Sequence, residues 1–136
     1  MEGQTGHRRG GRDVSRRPVL GAFSATHADI VFVTNEDPYD DDPQEIIDQV
    51  VAGAVAEGKR LGETVFAILD REEAITAAMR VAGSEDLVLL TGKGCEPWMC
   101  VADGKKVPWD ERAAALRAIR RVTEEQQGMD DAAHAL

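Results

Sequence analysis

The sequence predicts an α/β fold, with mostly parallel strands, helices on both faces and a C-terminal β-hairpin. Three observations lead there. Apolar runs at residues 30–34, 64–69 and 87–90 have the length and composition of strands, and segments of helical apolar spacing separate them. That alternation marks parallel strands joined by right-handed crossovers. Asp103-Gly104 lies between two further strand-like segments, and Asp-Gly in that setting is a strong hairpin signal. At 136 residues the chain is one domain's worth, long enough to bury a real core. The expected arrangement is a Rossmann-like three-layer sheet.

Residues 1–17 form an irregular basic leader in which Arg8, Arg9, Arg12, Arg16 and Arg17 cluster. Pro18 suits a first helical turn, where its missing N–H costs nothing. Val19, Leu20, Ala22, Phe23 and Ala25 continue that helix to about Ala28, and the β-branched run 30–34 follows as a strand. Residues 35–43 are strongly acidic; Asp40 and Asp41 read as solvated. Asp42 reads as an N-cap, with Pro43 at N1 and Glu45 at N3 completing a capping box. Ile46, Ile47, Val50, Val51, Ala54 and Val55 make one buried helical stripe, and Gly58 is placed to end it. After the strand at 64–69, Asp70 and Glu73 form a second capping box. Ala74, Ile75, Ala78, Met79 and Ala82 extend the helix to Gly83. The run 87–90 has the continuous apolar character of a strand covered on both faces. Asp110 caps the last helix, whose buried face is Leu116, Ile119 and Val122, and 126–136 reads as a polar, fraying tail. The domain proper is thus expected at 18–125.

Composition excludes several classes. A formal net charge of −9 argues against general nucleic-acid binding, despite the basic start. No stretch of about 18 apolar residues is present, so no transmembrane helix is expected. No apolar segment follows the N-terminal arginines, so no signal peptide is expected either. Cys95 and Cys100 do not have a CxxC spacing, and two cysteines make no disulfide scaffold. A reducing, cytoplasmic setting is the default for such a chain. His7, His27 and His134 are scattered, so no metal site is expected.

Chemistry concentrates after the strands. Glu36, Asp37, Pro38 and Tyr39 follow the first, Asp70 the second, and Gly92-Lys93-Gly94-Cys95-Glu96 the third. Ligands bind parallel sheets beyond the carboxyl ends of their strands, so these turns should share one rim. Gly92 and Gly94 let the backbone approach a ligand closely. Lys93 with backbone N–H groups suits a carboxylate, and Glu96 suits an amine, which together describe a small zwitterion. The same loop also reads as a plain connecting turn, Asp70 as a cap before a ligand contact. A P-loop is excluded, because it would need Gly at position 87 and Ser or Thr at position 94, where this chain has Leu87 and Gly94.

The whole phrase Leu-Leu-Thr-Gly-Lys-Gly-Cys-Glu-Pro-Trp resembles the Gly-Lys-Gly-His-Glu signature of the Mur ligase C-terminal domain, in its UDP-N-acetylmuramyl-tripeptide synthetase branch. Cys95 stands where that family usually has His. The segment from Gly10 to Pro18 resembles the family's Gly-Asp-Arg-Asp-x-x-Lys-Arg-Pro, and the Arg matched by Arg12 helps bind the incoming amino acid there. Glu36, Asp37, Pro38 and Tyr39 occupy the positions of an Asp-Asn-Pro-Arg loop. In the diaminopimelate-adding enzymes that Arg binds the distal carboxylate, a charge that Tyr39 does not supply.

The resemblance implies the amino-acid-binding domain of a peptidoglycan-precursor ligase, with Arg12, Glu36, Asp37, Pro38, Tyr39, Gly92 and Glu96 around a small amino-acid substrate and Lys93 and Asp70 as accessories. Such ligases use ATP and Mg to activate a carboxylate as an acyl phosphate before joining it to an amine. The ATP site and the nucleotide-sugar domain belong to other parts of those enzymes. This chain alone is therefore expected to bind no ATP, to hold no catalytic residue and to be inactive, with the missing ligase domains as its partners. The family's opening strands should precede Arg12, so an N-terminally truncated fragment is expected. The alternative is a non-catalytic small-molecule or protein-binding module derived from that domain.

Overall fold

The computed structural model describes residues 13–135. Along the chain run α1 (Arg16–His27), β1 (Val31–Val33), α2 (Pro43–Ala56), β2 (Val65–Ala67), α3 (Arg71–Val81), β3 (Trp98–Cys100), β4 (Lys106–Pro108) and α4 (Glu111–His134). The class is mixed α/β, with four helices and two small sheets among the described residues.

β1 and β2 pair in parallel, Val31 opposite Val65 and Val33 opposite Ala67. Val31, Val33 and Val65 join Ala25 of α1 and Ile47, Val51 and Ala54 of α2 in the larger core cluster. Side chains alternate along a strand, so Phe32 and Phe66 lie on the other face, stacked at 4.9 Å between ring centroids. A second cluster joins Ile75 of α3 to Ala114 and Ala118 of α4, with Met79, Leu90 and Trp109 packed against it.

The α1–α2 packing depends on two glycines whose importance no periodicity announces. A Cβ at Gly21 would sit 1.8 Å from the Val50 carbonyl oxygen, and one at Gly53 would sit 1.9 Å from that of Pro18. The two helix backbones touch there.

All three aspartate caps form. Asp42 accepts from the Gln44 N–H, Asp70 from Glu73 and Asp110 from Ala113. The boxes are half-made: Glu45 accepts from Gln49 and Glu73 from Arg121, each drawn to a side chain rather than back to its cap. α1 begins at Arg16, so Pro18 lies in its first turn as expected, and α3 ends at Val81 rather than Gly83. Asp103 and Gly104 both take positive φ, 63° and 67°, in the three-residue loop left between Val101 and Lys105.

Three expectations need correction. The run 87–90 is not in a sheet: Leu87 and Leu89 are 87% and 75% exposed, and no ladder bond joins the run to another described residue. Its composition favours a strand, but a neighbouring backbone must complete one. The β3–β4 hairpin forms its own antiparallel sheet instead of an edge of the parallel one. Residues 126–134, expected to fray, continue α4 although every side chain from Thr123 to Ala135 is exposed. Ala, Glu, Gln and Met carry that helix on propensity without burial.

Candidate functional site

The strand ends do meet. The Thr34 hydroxyl and the Asn35 N–H both reach the Leu69 carbonyl, at 3.3 and 3.4 Å, which sets the end of β1 beside the end of β2. Arg71, at the first position of α3, then donates to the carbonyls of Asn35 at 3.3 Å and Thr91 at 2.7 Å. One guanidinium thus ties the turns after β1 and after the run 87–90. It is held by a buried two-pronged pair with Glu111, at 3.0 and 2.7 Å. Glu111 in turn accepts from the Trp109 indole.

Lys93 is the centre of the site. Its side chain is fully buried, and its ammonium donates to Asp37 at 2.7 Å and to Glu96 at 2.8 Å. Burial by itself pushes that ammonium toward the neutral form. The hydrogen bonds and charges of Asp37 and Glu96 outweigh burial and hold its pKa above the ordinary lysine value. Asp37 is buried too, and the same carboxylate oxygen accepts the Cys100 N–H at 2.8 Å. The Tyr39 N–H donates to the Cys100 carbonyl at 3.2 Å. The β3–β4 hairpin therefore clasps the loop after β1, while Lys93 clasps it from the glycine loop.

This loop has an unusual backbone. Asp37 and Tyr39 take positive φ, 25° and 52°, a conformation that costs a non-glycine residue of order 1–3 kcal/mol and clusters at ligand sites. Gly92 has φ 99°, and a Cβ there would sit 2.6 Å from the Glu36 carboxyl group. Only glycine admits both the turn and Glu36 beside it.

Of the residues the sequence nominates, Glu36, Asp37, Pro38, Tyr39, Gly92, Lys93 and Glu96 lie in this cluster, and Asp70 adjoins it through Leu69 and Arg71. Arg12 lies outside the described residues. Two roles change. Lys93 is consumed by two carboxylates and is not available to a substrate carboxylate. Asp70 spends a carboxylate oxygen on the α3 cap. Glu96 keeps a half-exposed side chain, 54%, so its carboxylate both belongs to the cluster and faces solvent. Cys95 is exposed and Cys100 half-buried, both with free thiols.

Sequence reasoning missed Arg71 and Glu111 as the brace behind the rim, and it missed a second anchor. Arg17, expected in an irregular basic leader, is buried, donating to Gln49 at 2.9 Å and to Asp41 at 2.6 Å. Asp41 is thus paired rather than simply solvated, and Asp40 accepts the Asp103 N–H at 2.9 Å. Both anchor the acidic loop, one to α1 and one to the hairpin. All these partners are distant in sequence, and only the caps among them have a local signature.

No group of three or more His, Cys, Asp or Glu able to hold a metal ion exists among the described residues. The rim does not fit a nucleotide triphosphate: Glu36, Asp37 and Glu96 crowd it with negative charge, and its lysine is already neutralised. The half-exposed Glu96 carboxylate is the side of the cluster open to a group from solvent.

Comparison with known proteins bears on this geometry. The protein-family model described as Mur ligase, glutamate ligase domain, matches residues 5–94. The UDP-N-acetylmuramyl-tripeptide synthetase of Roseiflexus sp. (strain RS-1) is 46% identical over 110 residues, 81% of this chain and 21% of that protein. A UDP-N-acetylmuramoyl-L-alanyl-D-glutamate--2,6-diaminopimelate ligase of Acidovorax sp. (strain JS42) is 40% identical over 112 residues, 82% of this chain and 21% of that one. The UDP-N-acetylmuramyl-tripeptide synthetase of Treponema denticola is 39% identical over 110 residues, 81% of this chain and 20% of its own length. The chain spans about a fifth of the length of these curated relatives. It therefore belongs to the Mur ligase family, and the part of the family it carries is the C-terminal, glutamate ligase domain.

Proposed function

We propose that this domain binds the incoming amino acid in an ATP-dependent, Mg-requiring ligase that extends a UDP-N-acetylmuramoyl-peptide, in a cytoplasmic step of peptidoglycan-precursor synthesis. The body of the domain is 18–125, in the Rossmann-like three-layer form that the alternating elements suggest. The carrying observation is the Asp37–Lys93–Glu96 cluster: a buried lysine locks the loop after β1 to the glycine loop and leaves the Glu96 carboxylate half-exposed beside them.

The chemistry of this chain's own residues is positioning. Glu96 accepts hydrogen bonds from the amine of the amino acid and holds it on the rim. Lys93, at 2.8 Å, fixes the carboxylate in place and partly offsets its charge. Gly92 and the strained loop 36–39 supply the wall, and Arg12 offers the bidentate guanidinium suited to an amino-acid carboxylate. Tyr39, where diaminopimelate-adding enzymes carry Arg, argues for a side chain without a distal carboxylate. ATP and Mg are supplied by the other domains of the intact ligase, and no step at this rim runs through them.

The test is a chimera in which this chain replaces the matching 110 residues of the Roseiflexus relative. Ligation is assayed with a panel of amino acids that differ in distal charge. A neutral or cationic distal group should be favoured over diaminopimelate. Glu96→Gln removes a charge-assisted bond of about 1.5–3 kcal/mol, so KM for the amino acid should rise about ten- to a hundredfold. An unchanged KM would remove the rim as the amino-acid site.

A further inference from the structure

We propose that Arg71 is the positioning residue of the rim: its guanidinium sets the separation of the loop after β1 from the glycine loop, brings Lys93 onto Asp37 and so holds Glu96 in place for an amino-acid amine. The inference rests on the amino-acid reading for its ligand. It goes beyond that reading by assigning the rim's geometry to a buried side chain behind it.

The two carbonyls that Arg71 holds are matched in spacing. Asn35, bonded at 3.3 Å, lies two residues before Asp37, and Thr91, bonded at 2.7 Å, lies two residues before Lys93. One guanidinium thus fixes both backbones just short of the point where the Lys93 ammonium reaches Asp37 at 2.7 Å. Two residues span at most about 7 Å of chain, so little slack separates the two cationic contacts. Among the described residues no backbone–backbone hydrogen bond joins 35–39 to 91–96. The described contacts that set this spacing are those of the two cations.

Arg71 is well placed to serve as a reference point. It opens α3, whose first turn Asp70 caps by accepting the Glu73 N–H at 2.9 Å. Its partner Glu111 opens α4, which Asp110 caps in the same way at Ala113. The guanidinium spends four N–H bonds, two on Glu111 and one on each loop carbonyl. The side chains of Arg71 and Glu111 are 6% and 9% exposed, so both are held by packing as well as by hydrogen bonds. A planar fork can bind a carboxylate and two carbonyls at once, and a lysine ammonium cannot reproduce that geometry. Sites keep their shape when such a second layer locks the residues that meet the ligand.

The consequence reaches the ligand through Lys93. Its ammonium attracts Asp37 over a range of separations, but only a fixed one also leaves its second bond, 2.8 Å to Glu96, in place. Displacing Thr91 or Asn35 moves Lys93 or Asp37 and with them the Glu96 carboxylate.

The experiment uses the full chain labelled with nitrogen-15, with lysine as the probe. A buried ammonium held by two carboxylates exchanges its protons slowly, so Lys93 should give an ammonium signal in the parent chain. Arg71→Lys keeps the charge and loses the fork. It should extinguish that signal, move the amides of 35–37 and 91–93, and weaken lysine binding by about ten- to a hundredfold. Gly53→Ala, which destabilises the α1–α2 packing away from the rim, should leave all three unchanged. A merely structural role for Arg71 would make the two variants alike. If Arg71→Lys does not fold, Glu111→Gln replaces it with the same expected losses, since it unpins the same guanidinium while keeping an acceptor for it. An ammonium signal absent from the parent, retained in the folded variant, lost equally in Gly53→Ala, or lost with lysine affinity unchanged would each overturn the proposal. If lysine shifts nothing in the parent, the amino-acid reading falls, while loss of the ammonium signal in Arg71→Lys would still support the clamp. The two readings therefore fail separately.

Discussion

Replacing Lys93 by Met removes the cation that two loops share while keeping most of the side-chain volume. Lys93 is 0% and Asp37 4% exposed at the side chain, so their 2.7 Å pair is out of water. Breaking a buried pair by deleting one partner costs about 3–5 kcal/mol, because the other charge stays buried. The Glu96 bond adds little, since a carboxylate that is 54% exposed regains its hydration. Asp37 keeps the Cys100 N–H, but a neutral donor does not replace the cation that faced its buried charge. A loss of about 3–5 kcal/mol is a large share of a typical domain's stability. At about 3–5 °C per kcal/mol for this size, the melting temperature should fall by about 10–20 °C. Asp37→Asn should cost less, because Lys93 still meets Glu96. The double variant should recover about 1–3 kcal/mol against the sum of the singles. The assay is urea and thermal unfolding of all four proteins, followed by circular dichroism. A Lys93→Met protein within about 1 kcal/mol of the parent, or additive singles, would refute the reading of Lys93 as a buried lock.

Other predictions follow from the same structure. Gly53→Ala gains helix propensity yet should destabilise by about 1–3 kcal/mol, because its methyl group meets the Pro18 backbone at 1.9 Å; chemical denaturation checks the sign. Arg71→Met leaves Glu111 buried without its partner and should cost about 3–5 kcal/mol, while Arg71→Lys recovers only part because the fork is lost. The pH profile of melting should show an acid limb. Arg117 holds the Glu72 carboxyl, and Arg80 that of Glu125, below the usual carboxylate range. A depressed folded pKa gives stability that is present above the ordinary value and lost as pH falls through the folded one. Melting should thus be flat near neutrality and fall below about pH 4, and Arg117→Gln with Arg80→Gln should shallow that fall. Lys93 has the opposite sign: its raised pKa gives stability that is full below the ordinary lysine value and lost as pH climbs through the folded one.

What the sequence made legible was local. Asp42, Asp70 and Asp110 announce their helices because a cap is a contact over two or three residues. Asp103-Gly104 announces its hairpin for the same reason. The parallel pairing of 31–33 with 65–67 follows from two β-branched runs separated by a helix. The burial of Lys93 is invisible in the sequence because a lysine between glycines carries no sign of it, and its partner Asp37 lies 56 residues away. The Arg71–Glu111 brace, 40 residues apart, has no sequence signature at all. The run 87–90 fails in an instructive way. Its composition specifies a strand, but pairing is a property of two backbones, and among the described residues the second is lacking. Convergence of the three turns, by contrast, was deduced from strand polarity alone, and the hydrogen bonds of Arg71 and Lys93 give it atomic form.

The central claim is that the turns around Lys93 form one small-molecule site with Glu96 as its charged contact. The most direct measurement is a nitrogen-15 NMR titration of the chain with lysine and with its amine-blocked derivative. The account predicts amide shifts confined to 35–39 and 92–96 with free lysine, and their loss with the blocked derivative or with Glu96→Gln. Shifts elsewhere on the domain, or the same shifts from the blocked derivative, would contradict it.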